Sequence, residues 1–200
     1  MSQEPPATER RTRKRELRKH YRCKRREGQP AVNQQLRAQV AALLGSLPGS
    51  GRVGLYVPLP GEADLLPLAS ALPRLRPGLA LPAVNGGQLH YLPWQPGDPL
   101  AADACGIPAP SGTGPALPAA AIDLLLIPAL AIDHRGIRLG YGGGWYDRLR
   151  SQAPWRQVPT LAVLPRACLA ESLPRDPWDI PLQGWVNELG TTWLATSEQR

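Results

Sequence analysis

The chain has 200 residues, 42% of them hydrophobic, which suits a single globular domain with a sizeable core. No apolar run approaches the ~20 residues that a membrane-spanning helix needs, and the first thirty residues lack the apolar segment of a signal peptide. Three cysteines without a CxxC pair argue against both a disulfide framework and a zinc site. We therefore expect a cytoplasmic protein without a membrane partner.

The net charge of +7 is concentrated in the N-terminal segment. Residues 1–30 contain eleven Lys or Arg and four Glu, whereas the rest of the chain contains twelve residues of each sign. Such a segment is either a solvated basic helix or a surface for nucleic acid or a polyphosphate ligand.

The N-terminal part of the chain predicts two helices, a strand and a further helix. Residues 1–8 are expected to form a disordered tail, and residues 9–195 a single domain. Within that domain the basic helix is predicted over residues 9–27, ending before Gly28 and Pro30. Apolar residues at helical spacing predict a second helix over residues 30–44. The elements predicted next are a strand over residues 52–57 and a helix over residues 62–72, the latter despite Pro67.

The remaining part predicts strands separated by loops, with one more helix. A hairpin of strands 79–84 and 88–92 is predicted around Asn85, Gly86 and Gly87. The later predicted elements are a loop over 93–118, a buried strand over 122–127, a glycine-rich loop over 128–144, a helix over 145–152, and strands over 158–164 and 184–187. Because strands alternate with helices, we predict an α/β domain with a mainly parallel sheet flanked by helices.

The loop between the buried strand and the next helix carries the clearest functional signal. In open α/β sheets, ligands bind beyond the carboxyl ends of the strands, and a glycine-rich turn there presents backbone N–H groups to phosphate. Arg138 and Arg148 bracket the glycines, and Tyr141, Trp145 and Tyr146 offer flat surfaces to an aromatic ligand. A flexible connector remains the alternative, since the segment matches neither a Walker A loop nor the usual dinucleotide fingerprint.

The run RLGYGGGWYDR at residues 138–148 resembles the signature of the 5-formyltetrahydrofolate cyclo-ligases, also called 5,10-methenyltetrahydrofolate synthetases. Three further segments match the family in order: KRELR at 14–18, LYVPLPGE at 55–62 and PWDIPL at 177–182. Trp178 stands where the family usually has His, and Gln183 stands where an Asp often follows.

The resemblance implies a Rossmann-like fold of the NagB/RpiA/CoA-transferase-like kind and an ATP- and Mg²⁺-dependent cyclisation of 5-formyltetrahydrofolate. It assigns the nucleotide to Lys14, Arg18, Arg138, Leu139, Gly140, Tyr141, Gly142, Gly143, Gly144, Trp145 and Tyr146. It assigns the folate to Tyr56, Glu62, Tyr141, Gly142, Gly143, Gly144 and Trp145. It implies that Asp147 and Asp179 bind Mg²⁺, and that Arg138 and Tyr146 act in catalysis.

Two alternatives stay open beside this interpretation. The basic helix predicts a nucleic-acid-binding module, and the departures at Trp178 and Gln183 leave room for a relative that binds folate or nucleotide without turnover. The partners we expect are the folate substrate and ATP rather than nucleic acid, with the protein acting as a monomer.

Overall fold

The computed structural model describes residues 6–27, 30–47, 51–72, 75, 78–112 and 114–195. Five α-helices lie in these ranges: α1 Ala7–Arg26, α2 Ala31–Ser46, α3 Leu68–Ala71, α4 Trp145–Ser151 and α5 Ala153–Gln157. Among the described residues, none of these helices combines the length and the apolar content that crossing a membrane requires.

A seven-stranded sheet forms the centre of the protein, with two small sheets beside it. The strands are β1 Arg52–Gly54, β2 Leu79–Asn85, β3 Gln88–Trp94, β4 Leu100–Ala102, β5 Pro108–Pro110, β6 Ile122–Pro128, β7 Ala131–Asp133, β8 Arg138–Leu139, β9 Thr160–Val163, β10 Leu169–Ala170, β11 Gly184–Asn187 and β12 Gly190–Trp193. The large sheet has the order β12-β11-β9-β6-β1-β2-β3, and the small sheets are β10-β7-β8 and β4-β5.

The five inner strands of the large sheet are parallel, and the two edge strands are antiparallel to their neighbours. Counting only the parallel strands, the chain moves outward in one direction from β1 to β2 and then in the other from β6 to β11. The order therefore reverses between β1 and β6. Ligands of open parallel sheets bind at such a switch point, beyond the carboxyl ends of the strands.

Helices cover both faces of the sheet, as β6 shows most clearly. Leu124 and Leu126 contribute to the core on the side of α2, whereas Leu125 and Ile127 contribute to the core on the side of α1, α4 and α5. A strand buried on both faces reads as a continuous apolar run, which is why this segment was recognisable in the sequence. The predicted single α/β domain with a mainly parallel sheet flanked by helices is confirmed.

Helix α1 lies on the core with only two large apolar side chains. Tyr21 is buried and Leu17 packs against the same cluster. The other buried side chains of α1 are Lys14 and Arg25, which require ionic or hydrogen-bonding partners in the body of the protein. The helix begins at Ala7, so residues 7 and 8 of the predicted disordered tail are helical, and residues 1–5 lie outside the described part.

The helix predicted over residues 62–72 is wrong, because only Leu68–Ala71 is helical. Glu62 lies instead in a turn, where its backbone N–H donates to the Leu59 carbonyl. Asp64 accepts a hydrogen bond from the Leu66 N–H, a local bond that competes with helical pairing before Pro67.

Two predicted loops contain short strands. Residues 93–118 include the end of β3 and the β4–β5 pair, and residues 128–144 include β7 and β8. In the second loop the buried carboxylate of Asp133 accepts hydrogen bonds from the N–H groups of Arg135, Ile137 and Leu173. β12 extends the sheet beyond the last predicted strand, and the hairpin turn at Gly86 and Gly87 is confirmed.

Candidate active site

A cavity of about 610 Å³ opens beyond the carboxyl ends of β1 and β6, at the switch point of the sheet. One face of α1, the turn after β1, the glycine-rich loop with the first turn of α4, and residues 176–179 form much of its wall. Apolar side chains of β2 and β3, together with the β4–β5 turn, close the remaining side. This volume lies within the range of small-molecule sites, roughly 300–1,000 Å³.

Every residue that the sequence assigned to a ligand lines this cavity, although the assignments come from four separate parts of the chain. The residues are Lys14, Arg18, Tyr56, Glu62, Arg138, Leu139, Gly140, Tyr141, Gly142, Gly143, Gly144, Trp145, Tyr146, Asp147 and Asp179. The fold thus brings them to one place, while their individual roles stay predictions.

The glycine-rich loop needs its glycines for close packing and for its backbone conformation. A Cβ on Gly140 would lie 2.7 Å from Arg138 Nη1, so a side chain there would displace the guanidinium group. Gly142 and Gly144 have φ of +110° and +66°, in the region that favours glycine. Gly144 directly precedes α4, a helix of only seven residues.

Arg138 lies in β8, just before the glycines of this loop, with its side chain almost entirely buried. Its Nη1 donates to the Pro128 carbonyl at 3.2 Å, and its Nη2 donates to Asp147 Oδ2 at 3.3 Å. The guanidinium carbon lies 5.2 Å from the centroid of the Tyr146 ring, a cation–π distance. Asp147 therefore serves as the counter-ion of Arg138 rather than as an N-cap, and α4 has no side-chain cap.

One face of α1 supplies further positive charge to the cavity. Lys14 Nζ lies 2.5 Å from Asp179 Oδ2 and 2.7 Å from Asp176 Oδ2. Arg18 Nε donates to the Gly140 carbonyl at 2.9 Å, which joins α1 to the glycine-rich loop. Part of the positive charge of the basic helix therefore faces the cavity. The α1 cations that line the cavity are three and four residues apart, the spacing of side chains on one face of a helix.

Glu62 is a buried carboxylate on the opposite wall. Its Oε2 accepts from the Leu59 N–H at 2.8 Å, and its Oε1 accepts from Arg25 Nη1 at 3.2 Å. Burial raises the pKa of Glu62, while the Leu59 N–H and the Arg25 guanidinium oppose that rise. Tyr56 is held beside this turn because its hydroxyl donates to the Ala63 carbonyl.

The tyrosines of the cavity remain protonated near neutral pH. Burial and, to a lesser extent, the nearby Glu62 carboxylate raise the pKa of Tyr141 to about 12. Burial also raises the pKa of Tyr146, against the opposing effect of Arg138. Both phenols can therefore donate a hydrogen bond to a ligand oxygen.

The carboxylates that the resemblance assigns to Mg²⁺ fit a metal that arrives with a nucleotide. Within the described ranges no three His, Cys, Asp or Glu side chains form a group that could hold a metal ion. Mg²⁺ is commonly held by one or two carboxylates, with substrate phosphates and water completing its octahedron. Asp147 and Asp179 line the same cavity and match that pattern.

Among the charged residues of this region to which the sequence interpretation gave no role are Arg25, Asp176 and Arg150. Arg25 and Asp176 each pair with a residue of the cavity wall, and the seven-residue spacing from Arg18 to Arg25 was the available signal for the first. Arg150, with its side chain buried, donates to the carbonyls of Ile180 and Pro181 and so fixes the segment that follows Asp179; no local pattern in the sequence indicates this.

The two departures from the family pattern have different structural settings. Trp178 lines the cavity but remains 64% exposed, and Asp179 keeps its position because its Oδ2 accepts from the Asp176 N–H at 2.7 Å. Gln183 does not line the cavity and accepts instead from the Thr160 N–H at 2.9 Å. The hydrogen bond that positions Asp179 involves neither Trp178 nor Gln183.

A parallel-sheet switch point, a glycine-rich loop, inward-facing cations and a buried carboxylate are the features of an α/β protein whose cavity suits an anionic small molecule. The model of the 5-formyltetrahydrofolate cyclo-ligase family matches residues 7–188. The chain therefore belongs to the 5-formyltetrahydrofolate cyclo-ligase family, and its predicted membership and enzyme class are confirmed.

Individual relatives agree with this placement. A 5-formyltetrahydrofolate cyclo-ligase of Escherichia coli (strain K12) is 32% identical over 174 residues, covering 82% of this chain and 94% of that protein. The NMR structure of Aquifex aeolicus 5,10-methenyltetrahydrofolate synthetase is 33% identical with a TM-score of 0.78, covering 94% of this chain and 95% of that one. A Mycoplasma pneumoniae 5,10-methenyltetrahydrofolate synthetase, 21% identical, has a TM-score of 0.69 over 88% of this chain and 98% of its own, and shares the fold.

Proposed function

We propose that this protein converts 5-formyltetrahydrofolate and ATP to 5,10-methenyltetrahydrofolate, ADP and phosphate. Family membership supports the reaction class. The observation that carries the proposal is the shared cavity, in which a glycine-rich loop and the cations Lys14, Arg18 and Arg138 face the same space as Glu62.

The chemistry explains why ATP is consumed. A formamide oxygen is a poor leaving group, so it first attacks the γ-phosphorus of ATP, and the bond from that phosphorus to ADP breaks. The product is an N5 iminium phosphate. N10 then attacks the activated carbon and loses its proton, and the C–O bond to phosphate breaks to leave the methenyl bridge. No nucleophile of the protein is required.

The cationic side of the cavity suits the triphosphate. Arg138 presents a fixed guanidinium group, and Lys14 and Arg18 extend from α1 toward the same loop. Loop amides from Gly140 to Gly144 complete a surface that donates hydrogen bonds. Holding the γ-phosphate in line with the formyl oxygen and neutralising its charge is the main task of such a site.

The opposite side suits the folate. The Glu62 carboxylate can accept hydrogen bonds from N–H groups of a pterin ring, and Tyr56, Tyr141 and Trp145 add aromatic surface around it. Tyr146 packs against Arg138, so its protonated hydroxyl is suited to a place near the formyl group, between the two substrates.

The two predicted metal ligands are paired with two of the predicted phosphate ligands. Asp179 pairs with Lys14, and Asp147 pairs with Arg138. When the nucleotide binds together with Mg²⁺, phosphate oxygens can replace the carboxylates at the cations while the metal neutralises the carboxylates. Mg²⁺ would supply charge neutralisation of the phosphates. The resting pairs therefore favour joint binding of nucleotide and metal over binding of either one alone.

The direct test is turnover of 5-formyltetrahydrofolate, followed by the near-ultraviolet absorbance of the methenyl product. We expect product only when ATP and Mg²⁺ are both present. Arg138→Ala and Asp147→Ala should each lower kcat by about 100-fold or more with the fold intact, whereas Asp123→Asn, at the opposite end of β6, should not. Nucleotide and folate binding without product would identify a non-catalytic relative instead.

A second candidate, binding of nucleic acid, rests on the outer face of α1. Arg15, Lys19 and Arg26 are exposed, do not line the cavity and fall within roughly 40° of the helix circumference at 3.6 residues per turn. Deleting α1 would not separate the two functions, because its inner face lines the cavity. Replacing Arg15, Lys19 and Arg26 by Gln should abolish salt-dependent RNA binding with turnover retained if this face binds nucleic acid.

A further inference from the structure

Arg25 makes a set of contacts that the proposed reaction has not yet used. Its side chain, near the C-terminal end of α1, is 4% exposed. Nη1 donates to Glu62 Oε1 at 3.2 Å and to the Tyr141 hydroxyl, and Nη2 donates to the carbonyl of Ala129. A single guanidinium group therefore contacts the turn after β1, the glycine-rich loop and the segment that follows β6.

We propose that Arg25 is a positioning residue that orients the Glu62 carboxylate for the pterin ring and connects it to the glycine-rich loop through Tyr141. This inference rests on the proposed function, because it assumes that Glu62 binds the folate. Arg25 itself does not line the cavity, so it acts through Glu62 and Tyr141 and not by touching a substrate.

The geometry around Glu62 leaves one of its oxygens to a rigid donor and the other to Arg25. Oε2 is fixed by the Leu59 N–H of its own turn, at 2.8 Å. Oε1 is held from α1, thirty-seven residues away in sequence. Gly61 precedes Glu62 with a φ of +87°, which favours glycine, and a Cβ built there would make an ordinary van der Waals contact with Arg25 Cδ at 3.4 Å.

Among the described groups that face Glu62, Arg25 is the one whose positive charge lowers the pKa of that carboxyl. Tyr141 from the glycine-rich loop, Tyr56 after β1 and Tyr146 of α4 are phenols whose pKa burial raises, so all three remain neutral. Burial also raises the pKa of Glu62, and the Arg25 charge opposes this. Removing that charge moves the pKa of Glu62 further upward, so the ionised form is lost at a higher pH.

The connection through Tyr141 has a consequence for the order of binding. Tyr141 belongs to the loop proposed to bind the triphosphate, and Arg25 lies 5.5 Å from the centroid of its ring. A nucleotide that fixes the loop also fixes one of the contacts of Arg25, and through it the orientation of Glu62. Each substrate should therefore strengthen the binding of the other, by the same factor in both directions.

The test is a double-mutant cycle between Arg25 and Glu62, with both turnover and folate binding measured. Arg25→Gln should raise KM for 5-formyltetrahydrofolate by about 10- to 100-fold, the range expected when a charge-assisted hydrogen bond is lost. Arg25→Lys, which keeps the charge without the planar fork, should recover part of that loss. In the Glu62→Gln background, Arg25→Gln should change KM by less than about threefold.

The pH dependence distinguishes a positioning role from a merely structural one. In Arg25→Gln, the pH below which folate binding weakens should move upward relative to the wild type. Arg26→Gln, an exposed neighbour in the same turn, is the matched control and should leave both KM and its pH profile unchanged. The measured affinity for 5-formyltetrahydrofolate with and without an ATP analogue should differ less in Arg25→Gln than in the wild type.

Two outcomes would overturn the inference. One is an Arg25→Gln effect on KM that persists at full size when Glu62 is Gln, and the other is a pH profile that does not move. Failure of the proposed function would look different, because the wild-type protein itself would then neither bind nor turn over 5-formyltetrahydrofolate.

Discussion

The pairing of Lys14 with Asp179 makes a quantitative prediction about nucleotide binding without metal. Lys14 Nζ has two carboxylate oxygens within 2.7 Å, from Asp179 and Asp176, and all three side chains are largely buried. A nucleotide phosphate must compete with these carboxylates for the ammonium group. Replacing Asp179 by Asn removes one competitor and one negative charge from the cavity while keeping the size of the side chain.

The size of the effect follows from the Coulomb energy. Two unit charges about 4 Å apart interact with about 4 kcal/mol at an effective dielectric of about 20, and partial solvation lowers the net effect. Because Asp176 still lies beside Lys14 in this variant, we expect the binding free energy of metal-free ATP to improve by about 1.5–3 kcal/mol. This corresponds to about 10- to 100-fold tighter binding. With Mg²⁺ present this gain should vanish or reverse, because Asp179 is then unable to meet the metal.

Isothermal titration with a non-hydrolysable ATP analogue, in EDTA and in Mg²⁺, measures both affinities. The decisive quantity is the ratio of Kd without metal to Kd with metal, which should fall by at least tenfold in Asp179→Asn. Asp123→Asn removes the same charge from an exposed position at the amino end of β6 and should leave the ratio unchanged. An unchanged ratio in Asp179→Asn would refute the idea that resting ion pairs couple the metal to the nucleotide.

Three further predictions concern the support of the cavity. Arg150→Met should lower the free energy of unfolding in urea by about 2–4 kcal/mol, since it leaves the half-buried carbonyls of Ile180 and Pro181 without their charged donor. Gly140→Ala should displace Arg138 and lower kcat/KM by about 10- to 100-fold, whereas Gly45→Ala, with open space around its Cβ, should not. Burial raises the pKa of Asp176, but hydrogen bonds from the α1 cations outweigh it and the net pKa is lowered. The stability that Asp176 adds should be complete above the ordinary Asp pKa of about 3.9 and lost as the pH falls through the lowered pKa of the folded state, as a comparison with its Asn variant would measure.

The sequence was most informative where one local pattern determines the structure. The apolar run of β6, the glycine pair of the β2–β3 turn and the helical spacing of α2 each reflect a backbone preference within a few residues. The same is true of the glycine-rich loop, whose residues lie together because they are neighbours in the chain. Family resemblance extended this to Lys14, Glu62 and Asp179, which physical patterns alone would have left as unrelated polar residues.

The sequence was least informative where distant segments determine the outcome. Residues 62–72 contain adequate helix formers, yet Glu62 is held in a turn by Leu59 and by Arg25 of α1. Asp133 likewise organises its loop by accepting from Leu173, forty residues away. Such contacts depend on the finished fold, so no propensity of the local residues could have indicated them.

The position of α1 shows how one helix can be fixed and still exchange partners. At its C-terminal end, the buried Arg25 donates hydrogen bonds to Glu62, Tyr141 and Ala129, and Tyr21 packs in the core nearby. We therefore expect this end of the helix to stay in place when a ligand binds. Toward its N-terminal end, Lys14 pairs with carboxylates at the cavity itself, where phosphate and metal can replace both members of the pair. The packing of Tyr21 and the buried guanidinium group of Arg25 hold the helix in place. The ion pairs of Lys14 can therefore exchange partners when a ligand binds. This division accounts for a highly charged helix with so few apolar anchors packing on the core of an enzyme.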